Sequence, residues 1–467
     1  MVINGVKIEN NILINIDRNA EKIVIPECDV TEIAHGMTLN GINCMEFDKL
    51  STLIAFVGVP KKVILNDERR FYPNDASTCL YDVKNELRLL FYRPGLEWLE
   101  LTEKNESYKT IDGILYSKDG KTLLRCPMGR TGEVKIPEGT KKIDKYAFKE
   151  CRISSVVFPD SLNDIGEKAF AECKNLKHID CGRGIKILGN KRNTHIFQSC
   201  KSLEEIEFPS QLQSIGDYTF WNCNLKKVSL NEGLYDIGDR AFSANPKLKE
   251  IKFPNSLTSI GRDNFTHNVE DFYVHQIPIG FVINVAPLLY DMSYDDYNKK
   301  PCTVAIHTEE DGVIYAPKTS LSSAAKERCI YILRNHVKED YANMFTLTRW
   351  IPAKQDTALY AYLYSSYSNA DIEWYLEKNA NEIAERLLKS GRIKPLIDFL
   401  KTGFLQLDGL KNLLDMLKED SEMNNKTKEL GLSINRQESV VRAYIMQAIN
   451  EARKKETTKD GESMFEV

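Results

Sequence analysis

The sequence predicts a mixed α and β protein: a β solenoid with hairpin caps, followed by a C-terminal all-α helical domain. Three observations predict it. Between Val134 and Val274 a unit repeats, reading VKIPEGTKKIDKYAFKEC, SVVFPDSLNDIGEKAFAEC, HIDCGRGIKILGNKRNTHIFQSC, EIEFPSQLQSIGDYTFWNC, KVSLNEGLYDIGDRAFSAN and EIKFPNSLTSIGRDNFTHN. A strand–turn–strand pattern ending in Ile-Pro-Glu occurs twice, over Ile8–Glu27 and Ile111–Glu138. From about Ser320 to Lys455 apolar residues recur at helical spacing instead.

The repeat is the central element. Its phenylalanines, Phe148, Phe170, Phe197, Phe220, Phe242 and Phe265, are 22, 27, 23, 22 and 23 residues apart. Ile143, Ile165, Leu188, Ile215, Ile237 and Ile260 keep step with them, as do Cys151, Cys173, Cys200, Cys223, Asn245 and Asn268. A period of this size belongs to leucine-rich-repeat-type solenoids, with one short strand and one turn segment per coil. One coil cannot bury its own apolar side, so the stack is the folding unit.

The recurrence of Pro, Ile-Gly, Ala-Phe and Cys in fixed order resembles the BspA-like, Treponema pallidum-type bacterial leucine-rich repeat family. Two units depart from the pattern, with Cys181-Gly182 and Leu230-Asn231 replacing the apolar-Pro pair. The third carries extra residues around Gly189 to Thr194, where a local bulge is expected. The resemblance implies a protein-binding solenoid. Many relatives are secreted, so it also implies a cell-surface adhesin as an alternative.

The flanks follow from the same reading. Residues 1–110 are expected to be an N-terminal β region with degenerate repeat, its runs Leu53–Val59, Val63–Leu65 and Leu89–Tyr92 forming strands or worn coils. Residues 111–275 are hairpin plus solenoid, with Lys118-Asp119-Gly120 as the turn. A hairpin laid on the first coil covers apolar edges that would otherwise invite aggregation. Residues 276–317, with Pro278, Pro287, Pro301, LLYDMSYDDY and DGVIYAP, are read as cap and linker. Residues 318–467 are the helical domain. There Ile383, Leu387 and Leu388, then Leu396, Phe399 and Leu400, then Leu410, Leu413, Leu414 and Leu417 mark helix faces. Gly391 and Gly403 suit C-caps. A last helix from Gln437 to about Lys455 aligns Val440, Val441, Tyr444, Ile445 and Ala448, and a polar tail is expected to fray.

Composition excludes several function classes. A formal charge of −4 argues against a broad polyanion-binding surface. No apolar run reaches the length of a membrane-spanning helix, and MVINGVKIENN has neither the basic nor the apolar segment of an export signal. The expected location is therefore cytoplasmic. Of the 11 cysteines, four share one repeat position that Asn fills in two other units. That points to side chains satisfying turn backbone rather than to disulfides or metal.

No catalytic constellation is present, so no enzyme activity, cofactor or metal is expected. His178-x-x-Cys181 has ligand-like spacing but no second pair to complete a site. What remains is surface. Alternation along the repeat strands turns Ser155, Val157, His178, Asp180, Glu205, Glu207, Lys227, Ser229, Glu250, Lys252, Asp271 and Tyr273 outward, mixed in charge with an acidic middle. The plain reading of that sheet is a solvated wall; the functional one is a partner-binding face. Tyr360, Tyr362, Tyr364, Tyr367, Trp374 and Tyr375 form an aromatic cluster that is either packing or an interaction patch. The leading expectation is a non-enzymatic scaffold, intracellular and bacterial or phage-encoded, with protein partners. A nucleic-acid-binding or regulatory role through Lys389, Arg392 and Lys394 is a weaker alternative, diluted by acidic neighbours.

Overall fold

The computed structural model describes residues 2–462 except 4–5, 10–11, 26–31, 34–37, 49–57, 68–89, 92, 191–193, 266–268, 282–300, 319–320 and 425–430. Several expectations fall partly or wholly outside the described residues. These are the runs Leu53–Val59 and Leu89–Tyr92, half of the Gly189–Thr194 insertion, Pro287, LLYDMSYDDY and the end of the tail. The chain divides into two units, residues 1–268 with 278–280, and residues 269–277 with 281–467.

In the first unit the repeats form coils of a β solenoid, with about nine turns beginning near residue 23. Each coil opens on a short strand whose central apolar residue is buried and whose neighbours face water. His178–Asp180, Glu205–Glu207 and Glu250–Lys252 all follow this rule. The strands stack in parallel, with Val156 beside Ile179 and Ile206 beside Val228. A second row of short parallel strands follows, pairing Ile143 with Ile165, Leu188 with Ile215, Ile215 with Ile237 and Ile237 with Ile260. The glycine after this row is required by close approach. A Cβ at Gly166 would lie 2.5 Å from the Lys145 nitrogen, and one at Gly216 would lie 2.4 Å from the Gly189 carbonyl carbon.

Between the second row and the Cys position each coil turns sharply. The residues two before each Phe (Tyr146, Lys168, His195, Tyr218, Arg240, Asp263) and two after (Glu150, Glu172, Ser199, Asn222, Ala244) are left-handed, with φ of 53–62°. None is glycine, and each such residue costs about 1–2 kcal/mol. Hydrogen bonds between coils offset that cost. The amides of Tyr146, Phe148 and Glu150 donate to the carbonyls of Glu167, Ala169 and Ala171 at 3.0, 2.7 and 2.9 Å. The same alternation joins 168–172 to 194–198, 195–199 to 217–221 and 218–222 to 239–243. The outward side chains stack too: the His195 and Tyr218 rings lie 4.4 Å apart, and Arg240 bonds Asp263 at 2.9 Å.

The interior is ordered as the spacing implies. The Phe rings form a continuous stack, with centroid steps of 4.6, 5.1, 5.3, 5.6 and 6.2 Å from Phe148 to Phe265. The Cys position caps it. Cys173, Cys200 and Cys223 Sγ donate to the carbonyls of Phe148, Phe170 and Phe197 at 2.9, 3.2 and 3.2 Å. Asn245 Nδ2 takes the same role toward the Phe220 carbonyl at 3.0 Å. Burial holds the thiols of Cys173 and Cys223 well above their ordinary range, so they are S–H donors.

Ahead of the repeats, Ile23–Ile25, Cys44–Phe47, Lys62–Leu65 and Trp98–Leu101 form a parallel sheet over a core that includes Met45, Phe47, Val63 and Leu99. These are worn coils without the repeat's signature residues. The two hairpins are present. Val6–Glu9 pairs with Ile12–Ile16, and Tyr108–Ile111, Ile114–Ser117 and Thr122–Arg125 form the second set. The second set meets coils on both sides: Leu99 N donates to Gly113 O at 3.1 Å, and Thr122–Arg125 runs parallel with Lys142–Ile143.

In the second unit, Asp271–Val274 lies parallel to Thr303–Thr308, which pairs antiparallel with Gly312–Pro317. Helices α1 (Ser323–Arg334), α2 (Ile351–Tyr364), α3 (Ala370–Lys378), α4 (Ala380–Lys389), α5 (Ile393–Leu400), α6 (Leu407–Asn424) and α7 (Gly431–Glu462) follow. The 3-10 segments Lys338–Asp340 and Ala342–Leu347 lie between α1 and α2. Gly391 and Gly403 take positive φ, 67° and 78°, just beyond α4 and α5. The marked apolar residues are buried except Leu388 and Leu414, which are half-buried. The last helix is longer than its apolar stripe, because good helix formers continue it. Val441 and Ile445 are buried, and Val440 faces water.

One charged group organises this unit. Asp356 of α2 is wholly buried and accepts from Arg386 Nη2 at 2.6 Å, Arg392 Nη1 at 2.9 Å and the Cys302 amide at 2.7 Å. Burial alone would raise its pKa, but the two guanidinium groups outweigh burial and hold the carboxyl below the ordinary range. Replacing Asp356 by Asn leaves two buried cations without a counter-charge and is expected to cost about 3–5 kcal/mol. Denaturant unfolding followed by far-UV circular dichroism checks this, and an unchanged midpoint would refute the buried pair. In the solenoid, Phe220→Ala is expected to cost about 3–5 kcal/mol in the same assay. A negligible shift would mean that the ring stack carries little of the stability.

Candidate interaction surfaces

The first surface is the outward side of the solenoid strands. His178, Asp180, Glu205, Glu207, Lys227, Glu250 and Lys252 are exposed there, and Ser229 is half-buried. Parallel register puts them in rows, with Glu205 beside Lys227, Glu207 beside Ser229 and Ser229 beside Lys252. Ser155 and Val157 are half-buried beside His178 and Asp180. Among the described residues neither Glu205 nor Glu207 has a salt-bridge partner. Their neighbour Glu204 does, bonding Lys226 at 2.7 Å and Lys247 at 3.6 Å. The acidic middle thus keeps two carboxylates available.

Asp271 and Tyr273 belong to the second unit and are engaged within it. Asp271 Oδ1 lies 2.7 Å from His307 Nε2, and the Tyr273 ring stacks on His307 at 4.3 Å. The pair His178 and Cys181 is split by the strand's alternation, His178 exposed and Cys181 buried. Among the described residues no group of three His, Cys, Asp or Glu side chains is placed to hold a metal ion. No described helix is long and apolar enough to cross a membrane.

The aromatic cluster divides in two. Tyr360 packs against Tyr315 and Tyr364, with centroids 5.8 and 5.4 Å away, and burial pushes its hydroxyl pKa up to about 12. Tyr364 donates to Asp398 Oδ2 and Tyr367 to the Asp311 carbonyl, both at 2.8 Å. Tyr362 packs on Phe404 at 5.3 Å. These rings join elements together. Trp374 differs, being 61% exposed, with Lys378 Nζ 4.7 Å from its ring centroid. With Tyr375 it lines a cleft of about 520 Å³ between α1, the 3-10 segment Ala342–Leu347 and α3.

Sequence reasoning missed Phe345, Lys354, Arg328 and Asp340 in that cleft. They come from four separate elements, and only chain folding brings them together. The basic residues Lys389, Arg392 and Lys394 form no free cationic strip. Lys389 pairs with Glu385 at 3.5 Å, Lys394 pairs with Asp398 at 2.8 Å, and Arg392 is the buried partner of Asp356.

A second polar cluster lies at the turn after Thr308. Asp311 Oδ2 accepts from His336 Nδ1 at 2.6 Å and Tyr341 OH at 2.7 Å, and Lys338 Nζ forms an ion pair with Oδ1 at 3.0 Å. Burial would raise the carboxyl's pKa, but these hydrogen bonds reverse the effect and hold it low.

Residues 129–192 and 193–278 match the BspA type leucine-rich repeat region, in six copies. The fold is similar to a leucine-rich repeat protein of Bacteroides ovatus, at 19% identity and a TM-score of 0.35, over 59% of this chain and 65% of that one. The chain thus spans less than two thirds of that relative's length. A leucine-rich cell surface protein of Faecalibacterium prausnitzii matches at 26% identity over 52% of this chain and 60% of its own, with a TM-score of 0.28. The Treponema pallidum leucine-rich repeat protein matches at 26% identity over 39% of this chain and 90% of its own, with a TM-score of 0.28. No curated protein matches the chain.

The Asp311 cluster generates a pH prediction. A carboxyl whose pKa is lower folded than unfolded contributes stability that is full above its unfolded pKa and lost as pH falls through its folded pKa. Urea midpoints of wild type and Asp311→Asn should therefore differ at neutral pH and converge as pH drops below the ordinary carboxyl value of 3.8. A gap that does not narrow at all as pH falls below that value would assign the effect to packing rather than to the charge.

Proposed function

We propose that this chain, whose residues 129–278 are a run of BspA-type leucine-rich repeats, is a non-enzymatic scaffold that holds another protein on the outward strand face of its solenoid. It would act inside the cell, in a bacterial or phage-encoded setting. The observation that carries the reading is the row of exposed side chains on rigid parallel strands, with Glu205 and Glu207 unpaired at its middle. Solenoid faces suit this use because each coil adds a few contacts at fixed spacing. The unpaired carboxylates favour a partner whose contacting surface is basic, and such pairing speeds association at low salt. The cytoplasmic part of the reading is supported by Cys173, Cys200 and Cys223, which serve as S–H donors to main-chain carbonyls. That is a role for reduced cysteine, as reducing compartments maintain it.

The test uses the full chain and a Glu205→Lys, Glu207→Lys double variant as parallel baits in lysate of the native host. Both positions face water, so the variant is expected to keep its unfolding midpoint within about 0.5 kcal/mol of wild type. A partner retained by wild type and lost from the variant is expected. Its association rate with the variant should be about tenfold lower at low salt and nearly insensitive to salt. A captured protein that binds both baits equally would remove the strand face from the proposal.

A further inference from the structure

We infer that the cleft between α1, the 3-10 segment Ala342–Leu347 and α3 seats a peptide segment of a partner protein, in which an aliphatic or aromatic side chain lies beside a carboxylate. At about 520 Å³ the cleft has the size of sites that enclose a small ligand or a few side chains. Its wall is aromatic. Phe345 and Tyr375 lie with ring centroids 5.0 Å apart, and Trp374 stands beside them, 61% exposed. An indole so exposed beside a concave apolar wall is the arrangement in which anchoring residues concentrate binding energy.

Charge selects the occupant. Arg328 and Asp340, at one side of the cleft, pair with each other. Lys354 has no carboxylate partner among the described residues, and its ammonium lies 5.8 and 5.1 Å from the Phe345 and Tyr375 ring centroids. Lys378, over Trp374, has none either. Lys354 thus faces the aromatic wall without a counter-ion, and Lys378 lies over the Trp374 ring without being one of the cleft's lining residues. Asp371 is the one lining carboxylate without a cation, placed to accept an N–H from the bound segment. A carboxylate placed at Lys354 supplies its missing counter-ion while an apolar neighbour covers Trp374. A nucleic acid strand fits less well, because its phosphates would meet Asp340 and Asp371.

Random short peptides displayed on phage, selected on the full-length chain, test this directly. Wild type and the Glu205→Lys, Glu207→Lys variant are both expected to enrich peptides with Asp or Glu next to Leu, Phe, Tyr or Trp. A synthetic copy of an enriched peptide, followed by fluorescence anisotropy, should bind Trp374→Ala and Lys354→Glu each about tenfold or more weakly. Trp374→Phe should recover part of the loss, and far-UV circular dichroism should be unchanged throughout. A uridine oligomer measured alongside should not bind. Enrichment of basic peptides, no enrichment, equal binding by the Trp374 and Lys354 variants, or binding of the oligomer would each overturn the inference. Loss in the solenoid variant alone would place the peptide on the strand face, overturning this site and leaving the scaffold reading intact.

Discussion

The hydrogen bond from each coil's phenylalanine amide to the coil that follows is the constraint on which the solenoid depends. At Phe220 the amide donates to Ala241 O at 2.7 Å, and the carbonyl accepts from Asn245 Nδ2 at 3.0 Å. The ring between them stacks on both neighbours, at 5.3 and 5.6 Å. One residue therefore fixes main chain and core together, and a coil cannot rotate without losing all three contacts. That rigidity explains how left-handed residues such as Tyr218 and Asn222 persist without being glycine. It also holds the outward strand residues in straight rows. In the last step the pattern bends, since Phe242 N bonds the side chain of Asn264 at 3.3 Å rather than a carbonyl.

The second unit solves a different problem with a different device. Helices α1 to α5 are short, and short helices draw most of their stability from packing. The buried Asp356 adds direction to that packing, since its oxygens are met by groups from α4, from the α4–α5 junction and from the chain before the hairpin. Apolar contacts alone would let neighbouring helices slide. A carboxylate with three fixed donors does not. The Asp311 cluster repeats the device at the hairpin turn, where Tyr341 and Tyr367 meet at 4.8 Å. Most of the tyrosines that look available in sequence are committed to such joints.

The repeat was legible because its structural needs are chemically specific. Phe, Ile-Gly and Cys each answer one requirement, and Asn245 standing in for Cys was enough to read that position as a backbone donor. The outward alternation of Glu205 and Glu207 followed from strand geometry. The worn coils between Ile23 and Leu101 were less legible because their strands keep the apolar alternation but drop the signature residues. The left-handed corners were invisible, since Lys168, Glu172 and Arg240 carry no preference for that conformation. In the helical unit, spacing located the helices and composition flagged the aromatics. It could not separate Trp374, which faces water, from Tyr360 and Tyr364, whose rings are packed. The cleft's Lys354 and Phe345 gave no signal, because a site assembled from distant segments has no local pattern.

The comb of amides also dictates where the chain can change length. The six Phe positions are joined by five steps of 22, 23 or 27 residues, and the long step inserts its surplus between Leu188 and Thr194. That gap follows the second-row strand and ends where the Thr194 carbonyl receives Lys168 N at 3.0 Å. Length added there leaves every tooth of the comb aligned, whereas one residue added between Thr194 and Cys200 would misalign them all. The solenoid therefore has a built-in reading frame. It can grow by whole coils, at this seam, or by single residues after the Cys position, where Cys223–Leu225 is one residue shorter than Cys200–Leu203.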